Sequence, residues 1–114
     1  MGRIEPQATL TVFSYAASLA AGASTSGSVG CQGFATMVGA VFVSDSTLAT
    51  CGIKVSQSLD AGSSWDIVSA SNAVANNSST ACTTSILGNA IRVEIQNGAT
   101  AASRIRALFY LKPL

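Results

Sequence analysis

The residues of this chain best suited to chemistry lie close together. Ser58, Asp60, Gly62 and Trp65 bring a hydroxyl, a carboxylate, a glycine and the chain's one indole into a single short segment, S-L-D-A-G-S-S-W. Two uses compete for it. In a turn, the carboxylate accepts backbone N–H groups, the glycine takes a positive φ and the aromatic ring covers the hairpin base. In a ligand site, Trp65 stacks on a sugar ring while Asp60 and Asp66 accept hydrogen bonds from its hydroxyls. The turn is favoured, because an indole without neighbouring aromatics makes a poor platform. Calcium at Asp60 would need roughly six or more oxygen ligands, and no further acids cluster nearby in sequence. The chain has no histidine, its cysteines are isolated and its carboxylates are unpaired. No nucleophile–base pair can be drawn from these residues, and no glycine-rich loop precedes a helix. No catalytic, cofactor or metal site is expected.

The spacing S-x-D-x-G-x-x-W at Ser58, Asp60, Gly62 and Trp65 resembles the Asp-box, a β-hairpin motif known from sialidase propellers and from other β folds. Ser64 stands where a threonine is common. The resemblance implies a structural hairpin remote from any active site.

The elements that must carry this turn are strands. "GIKVSQS" sets Ile53, Val55 and Gln57 against Lys54, Ser56 and Ser58, and "WDIVSA" follows after a tight connection, so the two predict a hairpin. In "AIRVEIQ", Ile91, Val93 and Ile95 share one face. In "RIRALFYL", Ile105, Ala107, Phe109 and Leu111 oppose Arg104, Arg106, Leu108 and Tyr110. "MVGAVFVS" reads as a central strand covered on both faces. Leu10 and Val12 open a first strand, "AAGASTSGSVG" reads as a crossing into a second strand near Val29 to Gln32, and "AVANNSST" reads as a polar loop. The expectation is an all-β, antiparallel β-sandwich, jelly-roll-like or Greek-key, with roughly seven or eight strands and no helix. Its inner face should hold Val41, Val43, Ile53, Val55, Ile67, Ile91, Val93, Ile95, Ile105 and Phe109.

A chain of 114 residues suits one domain. Residues 10–114 are assigned to the sandwich and residues 1–9 to an N-terminal arm, with Arg3, Ile4, Glu5 and Pro6 as candidate contact residues. Glu5 and Pro6 stand where the apolar core of a secretory signal would begin, so a retained segment is expected. A net charge of +1 offers no long-range attraction to nucleic acid. No apolar run approaches the roughly 20 residues of a spanning helix, so no membrane partner is expected either. Only 10% of residues are charged, which leaves a surface of small and apolar groups suited to burial against neighbours. Cys31, Cys51 and Cys82 match no zinc spacing and read as small buried hydrophobes in a reducing compartment, with one intrachain pair left open. The sequons at Asn76 and Asn77 are short enough to arise by chance.

From about residue 8 onward, the order "ATLTV", "SLAAGAST", "VGCQGF", "VSQSLDAGSSWDIV", "GNAIRVEIQNGATAASRIRALFYL" resembles the small β-sandwich virion proteins of tailed bacteriophages. The resemblance implies a non-enzymatic structural protein of the virion, assembled in the host cytoplasm. The role it implies is capsid decoration, as a homo-oligomer with a trimer favoured, bound to the major capsid protein or other virion proteins. The alternative is a receptor- or glycan-binding module of a phage tail or cell surface, which should display an exposed aromatic patch near Trp65, Phe34 or Tyr110.

Overall fold

Period-two alternation along the chain is realised as eight strands: β1 Leu10–Leu19, β2 Ser24–Gly30, β3 Phe34–Ser44, β4 Leu48–Ser58, β5 Ile67–Asn72, β6 Ser78–Ser85, β7 Ala90–Asn97 and β8 Ala102–Pro113. A computed structural model describes residues 9–46 and 48–113, with the side chains of residues 49–51 outside that description. Arg3, Ile4, Glu5 and Pro6 of the expected arm lie outside the described residues, as does the side chain of Cys51. No helix occurs among the described residues.

The strands form two four-stranded sheets in the orders β1-β8-β3-β6 and β2-β7-β4-β5. Every pairing is antiparallel and the pairs are nested: β1 with β8, β2 with β7, β3 with β6 and β4 with β5. Two further pairings, β3 with β8 and β4 with β7, tie the nested pairs into sheets. A nested antiparallel ribbon rolled over itself in this way is an eight-stranded jelly roll, which decides between the two expected topologies.

Between the sheets, Met37, Val41, Val43, Ile105, Phe109 and Leu111 pack against Ile53, Val55, Ile91, Val93 and Ile95, all without solvent exposure. Each such side chain contributes roughly 1.5–3 kcal/mol by leaving water. All the residues expected inside are buried except Ile67, which is half-buried because β5 lies at the edge of its sheet. Cys31 and Cys82 are free and buried. Burial pushes both thiols up from their ordinary pKa, which keeps them protonated and unreactive.

Four local expectations are corrected. The second strand runs over Ser24–Gly30, inside the stretch expected as a crossing. Its inward positions by register are Thr25, Gly27 and Val29, opposite Ile95, Val93 and Ile91. A Cβ at Gly27 would stand 2.7 Å from Cδ1 of Phe13, so the apolar filling of that strand is supplied by another strand's ring. Secondly, β3 is covered on one face only, for Val38 and Phe42 are partly buried and Ala40 is exposed. Thirdly, β4 and β5 do form a hairpin, but residues 59–66 make its connection long rather than tight. Finally, β6 starts at Ser78, within the expected polar loop, whose Val74 is a fully buried core residue.

Candidate functional site

The β4–β5 connection is organised around one carboxylate. Asp60 Oδ1 accepts hydrogen bonds from the Ser58 hydroxyl at 2.5 Å and from the Ser64 N–H at 2.8 Å, and its Oδ2 accepts from the Ser64 hydroxyl at 2.6 Å. Ser58 Oγ in turn accepts from the N–H groups of Asp60 at 3.1 Å and Gly62 at 2.9 Å. Asn89, from the β6–β7 connection, anchors the same turn: its Oδ1 accepts from the Ala61 N–H at 2.9 Å and its Nδ2 donates to the Leu59 carbonyl at 3.2 Å. Gly62 adopts φ +98°, a conformation that side chains rarely take, and the Trp65 ring lies against it.

Trp65 then folds back over the outer face of its own sheet. The guanidinium of Arg92, which projects from that face of β7, lies 4.9 Å from the indole centroid. A cation over the face of an indole is attracted to its π-electrons, by roughly 0.5–1 kcal/mol at a partly solvated site. Ser56, the register partner of Arg92, is 2% exposed despite belonging to the polar side of β4. The turn therefore brings Ser58, Asp60, Gly62 and Trp65 together and adds two residues that sequence reasoning missed, Arg92 and Asn89. Arg92 was legible only as a wet-face residue of β7, and its approach to Trp65 depends on a long-range pairing.

The hydrogen bonds from Ser58 and Ser64 hold the Asp60 carboxyl down at a pKa of about 2, against an ordinary 3.8. A carboxyl group whose folded pKa is depressed lends stability that is complete above its unfolded value and is lost as pH falls through the folded value. The melting temperature should therefore decline between about pH 4 and pH 2, and Asp60→Ala should flatten that acid limb while lowering the melt at neutral pH. Thermal unfolding from pH 2 to 7 measures both, and identical acid limbs in the two proteins would contradict the assignment.

Beside the indole is a hollow of about 310 Å³, lined by Ser28, Gly30, Ala61, Gly62, Trp65 and Asn89 among others. A neighbouring hollow of about 320 Å³ shares Gly30, Ala61 and Asn89 and adds Gln32. Among the described residues, no group of three His, Cys, Asp or Glu side chains could hold a metal ion. Trp65, Phe34 and Tyr110 stand apart from one another, and of the three only Tyr110 has a second aromatic among the described residues, Phe42, on the same outer side of its sheet. Each is partly buried, with Trp65 over one sheet, Phe34 against the core and Tyr110 on the outer side of the other sheet.

The second candidate surface is that other outer side, on the β1-β8-β3-β6 sheet. Register places Leu108 beside Ala40 and Ser14, with the rows of Tyr110–Val38 and Arg106–Phe42 on either side. Leu108 is 49% exposed. It borders two hollows of about 370 and 350 Å³, one towards Phe42 and Arg106, the other towards Val38 and Tyr110.

No family model matches this chain, and no curated protein matches it. Among solved structures it is similar to the PBSX exported protein XepA, at 14% identity and a TM-score of 0.77 over 100% of this chain and 40% of that one. The chain thus spans less than half the length of XepA. It is also similar to a protein of Bacillus endospore appendages, described as a family of disulfide-linked pili, at 14% identity and a TM-score of 0.52, covering 100% of this chain and 97% of that one. Likeness at these identities is likeness of fold: an antiparallel β-sandwich with both sheets complete.

Proposed function

We propose that this chain is a non-enzymatic structural subunit of a virion, a capsid decoration protein that binds and stabilises the capsid lattice. The observation that carries the reading is the outer side of the β1-β8-β3-β6 sheet, where Leu108, Val38, Phe42 and Tyr110 present an apolar centre with no covering element among the described residues. An apolar sheet face of this kind is a liability on a solitary protein and a contact surface on an assembled one. The whole-chain likeness in fold to a phage-encoded exported protein and to an appendage protein supports a place on an extracellular or virion-associated particle. A homo-oligomer fits the low charge of the whole chain, and the resemblance to decoration proteins is what favours a trimer at three-fold positions.

The test is localisation in particles purified from the native host. The chain should be present at a fixed ratio to the major capsid protein, and particles lacking it should break at lower temperature. Deleting residues 1–9 should weaken attachment more than it lowers the melting temperature. Absence of the chain from purified particles overturns the reading.

A receptor- or glycan-binding role is the second reading, and the hollow beside Trp65 is what favours it. Saturable shifts in tryptophan emission with a neutral oligosaccharide, abolished by Ser28→Leu at an exposed lining position outside the turn's hydrogen bonds and without a change in melting, would place function there. The decoration reading expects no such shift.

A further inference from the structure

We propose that the outer side of the β1-β8-β3-β6 sheet docks a different protein, one whose surface carries carboxylates around an apolar centre. The proposal rests on the structural-subunit reading and names the chemistry of its partner. Arg104, Arg106 and Lys112 all project outward from β8, opposite Ser44, Phe42 and Thr36 of β3. The four strands of this sheet contain no aspartate or glutamate. Asp45, at the rim, is the nearest acid along the chain, and it is engaged by the Ser103 hydroxyl at 2.5 Å. Asp60, Asp66 and Glu94 belong to the other sheet and its hairpin. Three cations therefore stand on one face beside an apolar ridge. The Arg106 guanidinium lies 5.6 Å from the Phe42 ring centroid, which keeps its charge next to that ridge.

This charge pattern selects against a second copy. A two-fold contact brings a patch against itself and would set the three cations facing their counterparts, an arrangement that like-charge repulsion disfavours. Stacking on the opposite sheet of another copy is the weaker alternative, since its strands carry Lys54 and Arg92 against Glu94, and the two acids of its hairpin, Asp60 and Asp66, are already engaged by the Ser58 and Ser64 hydroxyls. A foreign surface with carboxylates around apolar side chains satisfies both features. Its apolar groups enter the hollows flanking Leu108, and its carboxylates reach the guanidinium groups, whose planar donors suit bidentate pairing.

Photo-crosslinking tests this in the full chain produced in its native host. A benzophenone amino acid is placed at position 108, and the control is position 68, where Val68 is 54% exposed on the other sheet. Crosslinked peptides are sequenced by mass spectrometry. The expected product joins position 108 to one peptide of a different protein, with Asp or Glu beside the linked residue. Its yield should fall at least tenfold with Arg104→Glu and Arg106→Glu together, and recover when the acids on that peptide are exchanged for lysine. If charge reversal prevents folding, Arg104→Gln and Arg106→Gln provide the same comparison with a smaller perturbation. Links to this chain's own peptides, links to nucleic acid, yields no higher than at position 68, or yields indifferent to both substitutions overturn the proposal. If position 108 gives no specific product while the chain is present in purified particles, the docking face is wrong and the structural reading stands. If the chain is absent from particles yet position 108 links to an acidic peptide with the expected charge dependence, the structural reading is wrong and the docking face stands.

Discussion

Gly39→Val is expected to leave this chain unable to reach a soluble, cooperatively folding state. Gly39 sits in β3 with β6 hydrogen-bonded on one side and β8 on the other, so its backbone has no free direction in which to move. A Cβ at this position would enter the Phe109 ring, coming 2.6 Å from Cγ, and would stand 2.5 Å from the Leu108 carbonyl oxygen. Phe109 is fully buried and cannot swing into solvent. Overpacking of a core typically costs about 1–3 kcal/mol, and a clash with backbone as well as ring goes to the top of that range or beyond it. Gly39→Ala should therefore fold with a loss of about 3 kcal/mol by urea denaturation, and Phe109→Leu in the same chain should restore part of it. Wild-type melting of Gly39→Val would show that the ring does not lie across that glycine.

The second large effect is expected at Gln57. Its amide is fully buried: Nε2 donates to the Ser85 carbonyl at 2.9 Å, and Oε1 accepts from the N–H groups of Leu87 at 2.6 Å and Gly88 at 2.9 Å. One side chain of β4 thus satisfies the backbone where the chain leaves β6 in one sheet to enter β7 in the other. Gln57→Leu keeps the volume, removes the acceptor of two N–H groups and leaves the Ser85 carbonyl to the Thr84 hydroxyl at 3.3 Å, and each buried N–H left without a partner costs roughly 1–3 kcal/mol. A loss of about 4 kcal/mol is expected, together with faster hydrogen exchange at Leu87 and Gly88. A loss below about 1 kcal/mol with unchanged exchange would mean that the amide makes no such bridge.

Both residues show how legibility varies along this chain. The side of β4 to which Gln57 belongs was readable, because it alternates in step with Ile53 and Val55. Its partners were not, since they lie about thirty residues away in sequence. Asn97 is a stronger case. It is 1% exposed and donates to the carbonyls of Leu19 at 3.0 Å, Ala20 at 3.1 Å and Thr100 at 2.9 Å, joining the β1–β2 and β7–β8 connections. In the sequence it stands only as the first residue of a turn, "NGATA". The Asp60 turn was legible almost whole, because its bonds to Ser58, Gly62 and Ser64 span no more than four residues.

What the sequence by itself determined is therefore what is local. Period-two alternation made β4, β7 and β8 and their inner faces visible, and short-range hydrogen bonding made the Asp60 turn visible, because each depends on neighbours within a few residues. The tertiary structure decided what depends on which strands meet. It chose the jelly roll by pairing β1 with β8 across nearly the whole chain, and it made a strand of Ser24–Gly30 by filling the space at Gly27 with Phe13. It also set Leu108 beside Phe42 and Val38 on a face that carries three cations and no acid. The outward side of Leu108 was in plain view among the arginines of β8, but only the pairing of β8 with β3, strands far apart in sequence, could show that Val38, Ala40 and Phe42 continue its apolar surface.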